Sequence, residues 1–172
     1  MSSWSNWETW TPPIVMLVIL LFTGAISQYA VNSWYRDMNK SDLTPPPWVF
    51  IAAWTILFIL ITICWVRANL IVNDPTVFQQ ANWAFSLNII LIFLWTIFFF
   101  MNRNMYTGLL INLLLIGVAV WLLVILGYDP VIATFISIYL AWLIFAALLN
   151  WFILKNNQID SNGRLDLSPE VD

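Results

Sequence analysis

The residues that could do chemistry in this chain are almost all aromatic. Histidine is absent, and Cys64 is the only cysteine, set inside an apolar run. Disulfide frameworks, thiolate metal sites and His-ligated haem therefore lack ligands within one chain. The carboxylates gather near the C-terminus, at Asp160, Asp166, Glu170 and Asp172. No paired carboxylates, Ser/His/Asp set or phosphate-binding glycine loop is present, so conventional hydrolytic or metal-dependent catalysis has nothing to work with. Flat rings take their place: 12 Trp, 12 Phe and 5 Tyr.

The rings recur at helical spacing. Trp54, Phe58, Ile61 and Trp65 fall on one face, at offsets of 0, 4, 7 and 11. Asn88, Ile92, Trp95 and Phe99 repeat that pattern, and Tyr139, Trp142, Ala146, Leu149 and Asn150 form a third stripe. An indole N–H or an amide inside a bilayer wants a partner, and bundle-facing positions supply one. An interior rich in rings and poor in charge suits a flat hydrophobic ligand such as a tetrapyrrole or a sterol.

Such stripes need long helices to carry them. The chain is 62% hydrophobic and only 9% charged, whereas a soluble domain carries roughly 25% charged residues. It could not cover its own surface in water, and the expected class is an all-α membrane protein. A span needs about 20 mostly apolar residues. Five are expected, at residues 13–31, 48–71, 82–101, 105–127 and 131–154, forming a five-transmembrane-helix bundle over 13–155. Pro12-Pro13 starts the first, and the run reads as a lasting span rather than a cleaved leader. Residues 1–12, with Trp4, Trp7 and Trp10, read as an interfacial arm anchored in the lipid headgroups. Asn73-Asp74-Pro75 closes the second span, Asn102-Arg103-Asn104 makes a short turn, and Gly127 suits a helix C-cap. Residues 156–172 read as a polar acidic tail of the kind that is disordered and solubilising.

Five spans put the termini on opposite sides. Arg36, Lys40, Arg103, Lys155 and Arg164 share one side, and only Arg67 lies on the other. Cytoplasmic loops accumulate Lys and Arg, so loop 33–47 and the C-terminus are expected in the cytoplasm and the N-terminus across the membrane. No span carries an acidic or basic residue near its middle, which argues against an ion-coupled transporter. With no basic patch, the expected partners are membrane lipid and a hydrophobic small molecule, not nucleic acid.

Several motifs, in order, resemble one family. Trp34-Tyr35, Asn39-Lys40, Pro45-Pro46-x-Trp48-Val49-Phe50 and Trp54-Thr55-x-Leu57 are similar to the first-loop and second-helix signature of the translocator protein / tryptophan-rich sensory protein (TspO/MBR) family. Trp95-Thr96, Phe98-Phe99, Arg103 and Met105 resemble its third-helix end. Tyr139-Leu140-Ala141-Trp142, Phe145-Ala146 and Leu149-Asn150 resemble its fifth helix.

The resemblance implies a five-helix bundle, often a homodimer, with a pocket opening toward the first loop. It implies binding of protoporphyrin IX or a related tetrapyrrole, with cholesterol also bound by many members, and no obligatory cofactor. Phe50, Ala53 and Trp54, Leu115, and Trp142, Ala146 and Leu149 correspond to ligand-lining positions. Gly24 and Ala25 resemble the small residues of its first helix. Phe58, Asn88 and Trp95, on the same stripes, complete the expected ligand set. Ligand rings would stack on Trp54 and Trp142, and ligand carboxylates would meet Arg36 and Lys40 on the loop side.

The chain also departs from the family pattern. Ser41 and Leu43 stand where a proline and a tryptophan are usual, and that tryptophan is linked to porphyrin photochemistry. Phe58 replaces a tyrosine, and Asn88, Ile92, Asn112 and Ile138 replace other usual residues. Trp151-Phe152 stand where a sterol motif would have its tyrosine. The expected role is a receptor, carrier or stress sensor. The alternatives are light-dependent porphyrin breakdown and a ligand-free membrane scaffold.

Overall fold

The computed structural model describes residues 7–35 and 38–165, with side chains described from residue 11 onward except at 31 and 32. Each of the five helices is long and apolar enough to cross a membrane. They are α1 (Trp7–Ser33), α2 (Pro47–Ile71), α3 (Pro75–Thr96), α4 (Met105–Leu126) and α5 (Pro130–Asn156).

The starts follow from proline and Asx chemistry. Proline opens α2, α3 and α5, where its missing N–H is not needed. Asp74 caps α3 by accepting from the backbone N–H groups of Thr76 and Val77, at 2.8 and 3.0 Å. This corrects the expected start at 82. Asp74-Pro75 opens the third helix as well as closing the second, and α3 begins with a polar turn that includes Gln79 and Gln80. Helix α1 begins at Trp7 rather than at Pro12-Pro13, which lie inside it. Pro12 and Pro13 fall in the second turn, where each removes one backbone N–H bond from the helix. The arm expected over 1–12 is thus helical from Trp7, while Trp4 lies outside the described residues.

Helix α4 packs between α3 and α5, and α1 rests on α2 and on the end of α3. The core is apolar, centred on Phe85, Leu115, Leu122, Ile136 and Leu143, all buried. Hydrophobic burial cannot drive helix association in lipid, so packing and a few polar contacts must. The Tyr139 hydroxyl donates to Asn88 Oδ1 at 2.9 Å, tying α5 to α3. Asn112 Nδ2 donates to the Leu143 carbonyl at 3.2 Å, tying α4 to α5. At the end away from the first loop, Trp65 Nε1 donates to Asn82 Oδ1 at 2.8 Å, and Asn82 Nδ2 donates to Asn69 Oδ1 at 3.1 Å.

The same end carries a bidentate ion pair. Arg67 Nε and Nη2 donate to the two oxygens of Asp129 at 2.8 and 2.7 Å, fixing the α4–α5 turn to α2. Asp129 Oδ1 also caps α5 through the N–H groups of Val131 and Ile132. The hydrogen bond from Arg67, reinforced by the Ile132 N–H, holds the Asp129 carboxyl down to about 2.

On the loop side the chain folds back on itself. Asn157 accepts from the Asn39 N–H at 3.0 Å and donates to the Asn39 carbonyl at 2.8 Å. The Met105 N–H donates to the Gly163 carbonyl at 2.8 Å, and the Leu165 N–H donates to the Arg103 carbonyl at 3.0 Å. Leu165 is buried with Trp34, Tyr35, Met38, Phe99, Met105 and Ile153. Residues 157–165 are therefore part of the folded body. The rest of the expected acidic tail, 166–172, lies outside the described residues.

Candidate functional site

A cavity of about 110 Å³ lies between the loop-side halves of α1, α2, α3 and α5. Gly24 faces it from α1, and Phe50, Trp54 and Phe58 from α2. Helix α3 contributes Ile92, Trp95 and Thr96, and α5 contributes Ala146, Leu149 and Asn150. Tyr35 lines it from the first loop. The lining residues that stay exposed, Gly24, Gln28, Pro47 and Ile51, all belong to α1 and α2, so that seam is its least covered wall.

A local change of helix type builds one wall. After Thr96 the chain widens into a π turn over Ile97–Met101, closed by the Asn102 N–H donating to the Ile97 carbonyl at 2.9 Å. In the wider turn neighbouring residues are less rotated from each other. Phe99 and Phe100 therefore both line the cavity, with ring centroids 4.9 Å apart and planes at 83°. Trp95 stacks on Phe99 at 5.0 Å and 15°, and Trp54 meets Trp95 at 5.9 Å. These offset and edge arrangements suit the ring quadrupoles, and together they make a continuous aromatic surface.

The loop holds this wall in place. Trp34 Nε1 donates to the Phe100 carbonyl at 3.2 Å, and Arg103 lies over the Trp34 ring at 5.7 Å. Lys40 Nζ donates to the Tyr35 carbonyl at 2.6 Å and sits over the Tyr35 ring at 4.9 Å. Burial pushes the Tyr35 phenol up to about 12, so it stays neutral at physiological pH.

Of the expected ligand residues, Gly24, Phe50, Trp54, Phe58, Trp95, Ala146 and Leu149 meet around this one cavity. Five others stand off it. Asn88 is buried one turn deeper, with its carbonyl oxygen engaged by Tyr139. Leu115 faces the core between α4 and its neighbours. Trp142 stands behind Phe50, edge to face at 5.7 Å, and so backs the wall rather than forming it. Ala25 is exposed and Ala53 half-buried, and neither lines the cavity. Lys40 does not reach the cavity because it is folded onto Tyr35, and Arg36 lies outside the described residues. Tyr35, Phe99, Phe100 and Asn150 also line the cavity, although sequence reasoning did not include them. Phe99 and Asn150 sat on the periodic stripes, while Phe100 gave no signal because the π turn breaks the helical period.

The TspO/MBR family profile matches residues 13–155, which includes every helix that walls the cavity. The chain belongs to the TspO/MBR family. It is 33% identical over 148 residues to the tryptophan-rich protein TspO of Archaeoglobus fulgidus, covering 84% of this chain and 94% of that one. Protein CrtK of Rhodobacter capsulatus is 30% identical over 138 residues, covering 78% and 84%. The translocator protein of Bos taurus is 27% identical over 172 aligned residues, covering 90% and 95%. With five apolar helices and this family, the protein is an integral multi-pass membrane protein of the TspO/MBR type.

Proposed function

We propose that this TspO/MBR protein binds a flat hydrophobic ligand of the tetrapyrrole class in the loop-side cavity, acting as a receptor, carrier or sensor. One observation carries the reading: a wall of Phe50, Trp54, Trp95, Phe99 and Phe100 with no acidic or basic side chain lining it among the described residues. Ring stacking on Trp54 and Trp95 supplies most of the recognition. Ligand pockets usually measure about 300–1,000 Å³, so the 110 Å³ cavity must widen to take a tetrapyrrole. The Trp54–Trp95 contact is the place where α2 and α3 would part. Ligand carboxylates would stay toward the first loop, near Lys40. The Lys and Arg distribution supports a cytoplasmic first loop and C-terminus.

Titrating protoporphyrin IX into the protein in lipid nanodiscs, followed by Trp fluorescence, tests the reading. Saturable quenching beyond that of empty discs is expected. Quenching that rises linearly with porphyrin, as it does in lipid alone, would refute it.

A further inference from the structure

The cavity has a polar spot that its own walls leave unused. Asn150 is 2% exposed, yet among the described residues neither its amide nitrogen nor its oxygen has a hydrogen-bond partner. Trp95 Nε1, also at the cavity, is likewise without one. Asn82, Asn112 and Asn157 each donate to a named acceptor, and Asn88, whose Nδ2 is also unpaired, still accepts from Tyr139, whereas Asn150 has both ends unpaired. A buried amide left unpaired costs roughly 1–3 kcal/mol, so its presence calls for an explanation.

The serine and threonine hydroxyls that line the cavity spend their protons elsewhere, so none of them donates to Asn150 Oδ1. Thr23, Ser27, Thr55 and Thr96 each donate to a carbonyl of their own helix, at 2.7–3.0 Å. Asn150 is also held in position. A Cβ built at Gly108 would lie 3.3 Å from Asn150 Nδ2 and 3.0 Å from Phe99, so the amide rests over Gly108 beside Phe99. Phe99 is the ring on which Trp95 stacks. Two amide N–H bonds, one carbonyl oxygen and one indole N–H thus serve a wall that carries no charge among the described residues.

We infer that Asn150, assisted by Trp95 Nε1, is a specificity-determining residue that reads a neutral group able both to accept and to donate, an amide or a hydroxyl, on the flat ligand. A carboxylate is rejected at this depth, because among the described residues no cation lines the cavity to offset its lost hydration. The inference rests on the reading of the cavity as a ligand site, and it adds the chemical class recognised at the Asn150 end.

Three probes of one shape separate the two ideas: pyrene, 1-pyrenecarboxamide and 1-pyrenecarboxylate. Each is titrated into the full chain in nanodiscs and read by Trp-to-pyrene energy transfer above empty discs. One good neutral hydrogen bond corresponds to about a 5- to 10-fold affinity difference. The carboxamide is therefore expected to bind about that much more tightly than pyrene, and the carboxylate more weakly than pyrene. Asn150→Leu should bring the carboxamide within about 2-fold of pyrene when both are measured on that variant, and a melting temperature no lower than wild type shows that the variant is folded. Trp95→Phe, which keeps a ring and removes the N–H, should lower the carboxamide's advantage in part. A carboxamide preference that survives Asn150→Leu, or a carboxylate bound as tightly as the carboxamide, overturns the inference and leaves the cavity reading standing. Absence of saturable transfer from all three probes overturns both.

Discussion

Removing the Tyr139 hydroxyl tests whether Asn88 is a structural tie rather than a ligand contact. Tyr139 and Asn88 are both fully buried, and the 2.9 Å bond between them joins α5 to α3. Asn88 Nδ2 already lacks a partner, so Tyr139→Phe would leave that amide with no side-chain bond. Interhelical hydrogen bonds in membranes average about 0.6 kcal/mol and reach about 1.7. Stranding the amide adds a penalty that is smaller than the full cost of burying it afresh, because one end is unpaired already. The expected loss for Tyr139→Phe is therefore about 1–2 kcal/mol. Asn88→Leu strands the phenol instead and should cost about the same. The double variant removes both groups and should cost less than the sum, with a coupling of about 1 kcal/mol. Reversible unfolding in bicelles measures all four corners of the cycle, and protoporphyrin titration of Tyr139→Phe should return an affinity within about 2-fold of wild type. Strict additivity, or a Tyr139→Phe variant that is as stable as wild type but fails to bind porphyrin, would refute the structural assignment.

Other perturbations address the ends of the bundle. Asp129 is held at about 2, against about 3.9 when unfolded. Its contribution to stability is thus complete above about pH 4 and is lost as pH falls toward 2. Asp129→Asn should lower the melting temperature at pH 7 and flatten the acid limb of the stability curve over that window. Gly163 has φ +79° and an added Cβ would lie 2.5 Å from the Tyr106 ring. Gly163→Ala should therefore lift residues 157–165 and speed tryptic cleavage after Arg164. At Gly24 a Cβ would meet nothing within 4 Å, so Gly24→Leu should fold normally. It would nevertheless fill the α1–α2 seam and weaken porphyrin binding several-fold at an unchanged melting temperature.

The span pattern was legible because hydrocarbon length and proline leave plain marks on a sequence. The expected 105–127 and 131–154 nearly coincide with α4 and α5, whose starts follow Asn104 and Asp129. The start of α3 was misplaced because Asp74-Pro75 serves as a stop and a cap at once, and the polar turn after it looks like a loop. Of the α3 stripe Asn88, Ile92, Trp95 and Phe99, the last three line the cavity and Asn88 stands off it. Asn88 and Asn150 look alike on their stripes, and only the position of Tyr139 makes one a structural partner and leaves the other unpaired. Trp142 shares a stripe with Ala146, but Phe50 stands between it and the cavity, a distinction that helical spacing does not contain. The folded segment 157–165 was hidden by polar composition. Its signal was there in turn residues Asp160 to Gly163, set between the apolar Ile159 and Leu165.

The central claim is that ligand rings bind on the Trp54–Trp95 wall rather than on Trp142. Measuring protoporphyrin IX affinity by its Soret shift in nanodiscs, for wild type, Trp54→Ala and Trp142→Ala, tests this most directly. Loss of a stacking platform costs roughly 1 kcal/mol beyond the buried area. The account predicts at least a tenfold weakening for Trp54→Ala and a smaller effect for Trp142→Ala, which only loosens Phe50. Equal affinity for wild type and Trp54→Ala, or a larger loss at Trp142 than at Trp54, would contradict it.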